Sequence, residues 1–559
     1  MLSNINLRMF LPAKEKKTLL YIVLLITGIA VLILGTRIAS TMLESVGIIV
    51  IIISLMLLFI MPFVKKFLSG PKVDLDLVYS LLHMRLVASG KNPAGKVLGS
   101  VSDPTLYGVY SRTFAKAVVL AREWGYNLSE ALSYIAKNIT EKAFKEVVQR
   151  LALTIKLGAD LETFLETEYN TLAHEYEFQY QRSLNNMRVL LGVYVATLAA
   201  LVFALANFML LSFFFFGSHT ILLQAYIAGI TMVIVLGGLI VFFLPKKVFD
   251  IKGRHARENK LVKLIDLTSI LVTTLAIILP ILYLRGKSID AQTLGIAVTL
   301  AGIPILVPGI IALMYESRVN NVDTFFPVFI RSLGSFISTI PSLKHAISQV
   351  LRADLGGLSK LIYRFHSRLE NEIPPDIVWK RFAIESGSEL VRRGSRIFQD
   401  TIEYGGDTEL AGKAISDHNN MLLGLRRLRN QIASNFTSTT IVIHSTVVAI
   451  SMFVLGLITY FNEVLIQLTS QLTPEVAGYI FIQPVNIDFL NKTIYAFIVI
   501  LTIINSYLIA KVRPFSQRSF WIYLGIMLIT TGVSAYLSSR AVDYVLQTMA
   551  SVSLPELGV

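Results

Sequence analysis

Two short elements repeat the same three residue types at the same spacing: Gly158, Asp160 and Glu162, and again Gly405, Asp407 and Glu409. The chemistry open to them is modest. A glycine can end a helix by turning left-handed, and an aspartate two residues on can cap the next helix. The carboxylates can otherwise form a docking or structural surface. Their basic counterparts are Arg392 and Arg393, read as surface residues, and the cluster Arg426, Arg427 and Arg429. The cluster suits lipid headgroup contact or the grip of an acidic partner.

No reactive constellation accompanies them. The eight histidines are scattered and cysteine is absent, which excludes disulfides and thiolate chemistry. Neither a G-x-x-x-x-G-K-[ST] phosphate loop, an H-E-x-x-H helix nor a G-x-S-x-G elbow occurs. The sequence therefore predicts no catalytic, cofactor-binding or metal-binding residue, and a protein that is not an enzyme.

The elements that must position these residues are helical and largely apolar. Hydrophobic residues make up 54% of the 559 and charged residues only 16%, well below the roughly 25% of soluble proteins. Nine runs stand out: Leu19–Gly35, Val46–Met61, Val189–Phe216, Ile221–Leu244, Leu267–Leu284, Leu294–Met314, Ile441–Tyr460, Ile494–Ala510 and Phe520–Leu537. Most can cross a hydrocarbon layer of about 30 Å at about 1.5 Å per residue. The first run follows Lys14, Lys16 and Lys17 and is succeeded by a second, so a retained membrane hairpin fits better than a cleaved signal.

The net charge of +14 could suit nucleic acid, but the lysines and arginines collect beside the apolar runs, where retention on the cytoplasmic side explains them. No nucleic-acid partner is expected. Basic residues put the N-terminus inside, and the loops then alternate, with a minor breach at Arg285 and Lys287, as far as the external 461–491 loop, which has acids and no Lys or Arg. Two long polar blocks, 72–188 and 315–438, both fall on the cytoplasmic face and the C-terminus falls outside. The expected fold is all-α: a polytopic membrane protein with about nine transmembrane helices and two cytoplasmic helical bundles. The divisions are a hairpin over 1–71, a first block over 72–188, four crossings over 189–314 with a basic linker at 245–266, a second block over 315–438, and three crossings with a short external tail over 439–559.

Within the blocks, Leu75, Val78, Leu82 and Leu86 share one helical face, Asn127 and Glu130 have capping-box spacing, and Thr140 can cap the helix carrying Phe144, Val147, Val148 and Leu151. No Gly or Pro interrupts 161–191, so one helix can run from the first block into the third crossing. The stretch 155–162 aligns with 402–409 at an offset of 247 residues, and each copy precedes a long helix and an apolar run. Duplication follows. Small residues Ala199, Ala200, Gly229, Gly237 and Gly238 are the expected points of close helix contact in the membrane. His444, Asn207 and Asn505 are the polar exceptions among the crossings, with His444 expected at the interface or packed in the bundle.

At the two Gly-x-Asp-x-Glu elements the chain resembles the type II secretion system F-domain family, and its archaeal branch in particular: the membrane platforms of the archaellum and of archaeal type IV pili. The first F-like domain would be Leu75–Leu191, with Gly90 and Asn92-Pro93 in its early turn. The second would be Phe325–Ile441. The resemblance implies a platform in the cell membrane that couples a cytoplasmic hexameric secretion ATPase to insertion of pilin or archaellin into a filament. It also implies a homodimer and contact with membrane lipids. On that reading the Gly-x-Asp-x-Glu residues and the named arginines are the candidate ATPase-docking or structural residues. The rival reading is a secondary transporter or lipid flippase with regulatory domains.

Overall fold

A computed structural model describes residues 73–211, 219–245, 260–286, 290–471, 487–514 and 517–551, with isolated positions at Ile29 and Ile51. The first two predicted crossings, most of the basic linker at 245–266 and residues 472–486 of the 461–491 loop lie outside the described residues. Among those described there is no strand.

The first block is built from α1 (Leu75–Ala88), α2 (Ala94–Ser100), α3 (Pro104–Tyr107), α4 (Val109–Glu123), α5 (Leu128–Ala136) and α6 (Lys142–Leu157). Helix α7 (Leu161–Leu211) closes it and continues as the third predicted crossing. Two helices follow, α8 (His219–Phe243) and α9 (Lys260–Leu284). The second block lies between α10 (Ala291–Thr339) and α15 (Thr408–Gln471). It comprises α11 (Leu343–Val350), α12 (Ser359–Glu370), α13 (Pro375–Ser386) and α14 (Glu389–Glu403). Helices α16 (Ile487–Val512) and α17 (Phe520–Ser551) complete the chain.

Seven helices (α7, α8, α9, α10, α15, α16 and α17) are long and apolar enough to cross a membrane. They coincide with the seven predicted crossings that fall on described residues. The protein is thus a multi-pass membrane protein. Three of the expected divisions, at 188/189, 314/315 and 438/439, fall inside unbroken helices. Polar and apolar parts are therefore joined by continuous hydrogen-bonded backbone rather than by linkers.

Local sequence explains most element ends. Gly158 and Gly405 both adopt the left-handed conformation, at φ 66° and 67°. Asp160 accepts from the amide of Thr163 at 3.0 Å, and Asp407 accepts from the amides of Glu409 and Leu410 at 2.9 and 3.0 Å. The repeated element is a matched helix stop and start. Asn127 accepts from Ser129 at 3.2 Å. Thr140 does not cap α6, whose N-cap residue is Glu141 with no side-chain capping bond. Pro375 opens α13 in the first turn, where its missing N–H costs nothing.

Helix α1 departs from the one-faced expectation. Leu77 through Ala88 are all buried, because α1 runs through the middle of the lobe against α7, α14 and α15. Its polar residues Ser80, His83 and Arg85 are buried with partners. In the second block Phe365, Trp379, Phe382 and Phe398 form an edge-to-face aromatic core that Phe329 joins at a tilt, with Phe365 and Trp379 centred 4.6 Å apart.

The closest helix contact in the apolar bundle lies elsewhere than expected. Ala199 and Ala200 are exposed and Gly238 meets nothing within 4 Å, whereas Gly229 and Gly237 meet only leucine and isoleucine side chains. Instead Gly295 and Gly302 of α10 face Gly532 and Gly525 of α17, Gly309 faces Ile522, and both glycine series repeat every seven residues. A Cβ on Gly309 would sit 2.5 Å from the Ile522 backbone, and one on Gly295 2.7 Å from the Gly532 carbonyl oxygen. Only glycine lets two backbones approach so closely. Gly309→Ala should therefore push α10 and α17 apart and destabilise by about 1–3 kcal/mol, read as a lower midpoint of thermal unfolding in detergent. Gly238→Ala should leave that midpoint unchanged or slightly higher.

Candidate functional site

The predicted site residues occupy two regions: a clamp between the polar blocks, and a junction where the polar lobe meets the apolar bundle. At the clamp, Arg393 on α14 reaches across to Asp76 on α1 at 2.6 Å, holds Glu389 at 2.8 Å, and lies 5.0 Å over the Tyr79 ring. Arg392 also pairs with Glu389. Both arginines were expected at a free surface; instead they are half-buried, and Arg393 bridges the blocks. Burial pushes the Glu389 carboxyl up, but the two guanidiniums outweigh it and hold its pKa below the ordinary value. Beside them His83 is wedged between Asp400, at 3.1 Å, and the Tyr107 hydroxyl, at 3.0 Å, all of them buried. Burial pushes the Tyr79 and Tyr107 phenols up, so both stay neutral and act as hydrogen-bonding groups.

The same interface continues to the turns. Asn92 donates to the Tyr404 carbonyl at 2.8 Å, and the Asp407 amide donates to Ser89 Oγ at 2.9 Å. A Cβ on Gly90 would sit 2.7 Å from Tyr404 O, so the early turn of the first block needs glycine there. Hence the Gly405-to-Asp407 turn is docked on the first block. The Gly158-to-Glu162 turn is not: Gly158 and Asp160 are exposed. Asp160 is held below the usual carboxylate range by Thr163, through its hydroxyl and its amide, and in smaller part by the charge of Lys91.

At the junction, Arg429 is 1% exposed. Its guanidinium donates to Pro245 O at 2.8 Å, to Val512 O at 3.0 Å and to Tyr180 Oη at 3.2 Å, and reaches Lys511 O at 3.5 Å. Those carbonyls close the ends of α8 and α16, where helix dipoles leave partial negative charge. One side chain of α15 therefore ties α7, α8 and α16 together. Arg426, one turn earlier, is buried against Asp323 of α10, which also accepts from Ser388, the N-cap residue of α14. Arg427 is exposed, with its Nε on Leu423 O. The cluster expected to touch headgroups or an acidic partner thus has two of its three side chains inside the lobe.

Deeper in the bundle His444 is fully buried and joins three helices. It contacts Thr531 at 2.8 Å, Thr502 at 3.3 Å and Asn505 at 3.2 Å, and Tyr194 donates to Asn505. It is packed in the bundle, one of the two placements expected. Asn207 bonds its own helix at Phe203 O. Sequence reasoning missed Asp76, His83, Asp323 and Asp400, the acceptors and bridges of the clamp and junction. Nothing in their local sequence marks them: Asp323 and Asp400 sit among other polar residues, and Asp76 lies two residues from Asp74.

A lobe of short helices is carried here on unbroken membrane-crossing helices. Residues 81–208 match the family model described as type II secretion system (T2SS), protein F. That span runs from α1 into the apolar part of α7, and the resemblance read from the sequence is shown. The chain is similar to flagella accessory protein J of Methanocaldococcus jannaschii, 27% identical over 461 residues, 80% of each protein. It is also similar to flagella accessory protein J of Methanococcus voltae, 25% identical over 334 residues, 57% of this chain and 59% of that one. No solved structure matches.

Two outcomes follow for the clamp and the junction. Glu389 has a folded pKa below its unfolded value of about 4.3, so its contribution is present above that value and is lost as pH falls through the lower folded pKa. The thermal midpoint should fall on acidification below about pH 4, and the slope should flatten in Arg392→Gln/Arg393→Gln. Arg429→Lys replaces a planar fork by a point donor that cannot serve both helix ends. Each charged hydrogen bond lost should cost about 1.5–3 kcal/mol, and limited proteolysis should cut near 245 and 512 before it cuts the blocks.

Proposed function

We propose that this protein is the membrane platform of an archaellum-like or type IV pilus-like assembly machine. Its two polar blocks face the cytoplasm, where a hexameric assembly ATPase engages them. Its apolar bundle receives filament subunits as they leave the membrane. The N-terminus lies inside and the C-terminus outside, by the loop charges. The platform works as a homodimer and carries out no covalent chemistry itself; the ATPase supplies the hydrolysis. The similarity to flagella accessory proteins supports the filament system.

One observation carries the mechanical part. Helices α7 and α15, 51 and 64 residues long, run from the tips of the blocks into the bundle without a break. At about 1.5 Å per residue these are rods of roughly 75 and 95 Å. A push on the lobe is delivered to the bundle because a continuous helix has no soft joint. Arg429 then shares the displacement with α8 and α16.

Gln181 tests this. It is exposed on the polar part of α7, eight residues before the apolar run at Val189. Proline there removes a backbone bond and kinks the rod. Gln181→Pro should abolish filament assembly in cells while the purified protein still binds the ATPase, and Gln181→Ala should assemble normally. Normal filaments from the proline variant would refute transmission through α7. Failure of the wild-type chain to bind the ATPase would refute the platform reading itself.

A further inference from the structure

The two blocks use one face differently. In the second block, the face of α14 and its following turn is covered by α1: Arg393 and Asp400 pair with Asp76 and His83, and Tyr404 O receives Asn92. The 247-residue offset that aligns Gly158 with Gly405 carries Asp400 to Leu153 and Tyr404 to Leu157. No described residue covers the equivalent face of the first block at the two positions on α6 that correspond to Asp400 and Tyr404. Leu153 is 55% exposed and Leu157 is 71% exposed. Two leucines one turn apart, at positions that are an interface in the duplicate, form an unfilled contact surface.

Its surroundings give the chemistry of the occupant. The three turns at this end of the lobe are neighbours: the Ser89–Asn92 turn bonds the Tyr404–Asp407 turn, and Arg85 near the end of α1 pairs with Glu166 near the start of α7, which brings the Gly158–Glu162 turn alongside. Asp160, Glu162, Glu403, Asp407 and Glu409 stand around these turns, against Lys91 and Lys156. The rim is acidic although the whole chain is basic. Lipid cannot be the occupant. Leu161, at the tip, precedes the apolar run at Val189 by 28 residues of one helix, about 42 Å along its axis.

We infer that Leu153 and Leu157, with the acidic turns beside them, are the docking surface for a soluble protein that presents an apolar side chain flanked by basic ones. Resting on the proposed function, that protein is the assembly ATPase. Charge complementarity at the rim steers the encounter, and the leucines supply the buried contact.

The test uses the full chain in detergent with the purified ATPase as probe. Leu153→Asp/Leu157→Asp should weaken binding at least tenfold, and Glu162→Lys/Glu403→Lys should slow association and remove its salt dependence. Tyr363→Asp, an exposed position on α12 of the second block, should bind as wild type. All three alter side chains in contact with solvent, and an unchanged unfolding midpoint verifies the fold of each. A photoreactive residue at 157 should cross-link to the ATPase. Equal binding by wild type and the leucine variant overturns this surface and leaves the platform reading standing. Cross-linking only between two copies of this chain also overturns it. If the wild type does not bind, the platform reading falls and this inference falls with it.

Discussion

Arg429 is the contact on which the rest depends. A buried guanidinium is tolerated only where its donors are met, and here carbonyls that helix ends leave unsatisfied meet them. That exchange solves two problems together. It neutralises the exposed ends of α8 and α16, and it fixes those ends to the stem formed by α7 and α15. Arg426 repeats the device one turn away with Asp323, which in turn holds the start of α14 through Ser388. The lobe is thereby locked to the bundle by polar contacts at its base and by glycine-mediated backbone contact within the bundle.

The division of labour follows from the solvent. In lipid there is no hydrophobic force between helices, so close approach must come from small residues and interhelical hydrogen bonds. The Gly295–Gly302–Gly309 stripe and the His444 node serve these purposes. In water the blocks use aromatic cores and a charged clamp. Arg393 can bridge Asp76 and Glu389 there because all three are only partly withdrawn from solvent.

Much of the plan was legible in the sequence. Seven crossings, the long α7 helix and both glycine stops follow from run length, absence of breakers and cap chemistry. These are local properties, and local properties are read from neighbours in the chain. The arginines were not legible in the same way. Arg392, Arg393, Arg426 and Arg429 read as surface charge because nothing nearby in sequence reveals Asp76, Asp323 or the carbonyls of Pro245 and Val512. The separations are large: Arg393 lies 317 residues from Asp76, and Arg429 lies 184 from Pro245. The glycine stripe was visible as a seven-residue period in both helices, yet only the pairing of α10 with α17 gives that period a meaning.

The sequence by itself determined the helical class, the crossings among the described residues and the ends of the principal helices, because hydrophobic period, run length and capping act within a few residues. Tertiary structure alone decided which charges are buried and which of two equivalent faces is covered. Burial of a charge depends on an acceptor brought from a distant part of the chain. The two Gly-x-Asp-x-Glu elements are alike in sequence, but one docks on a neighbouring turn and the other stands open to water.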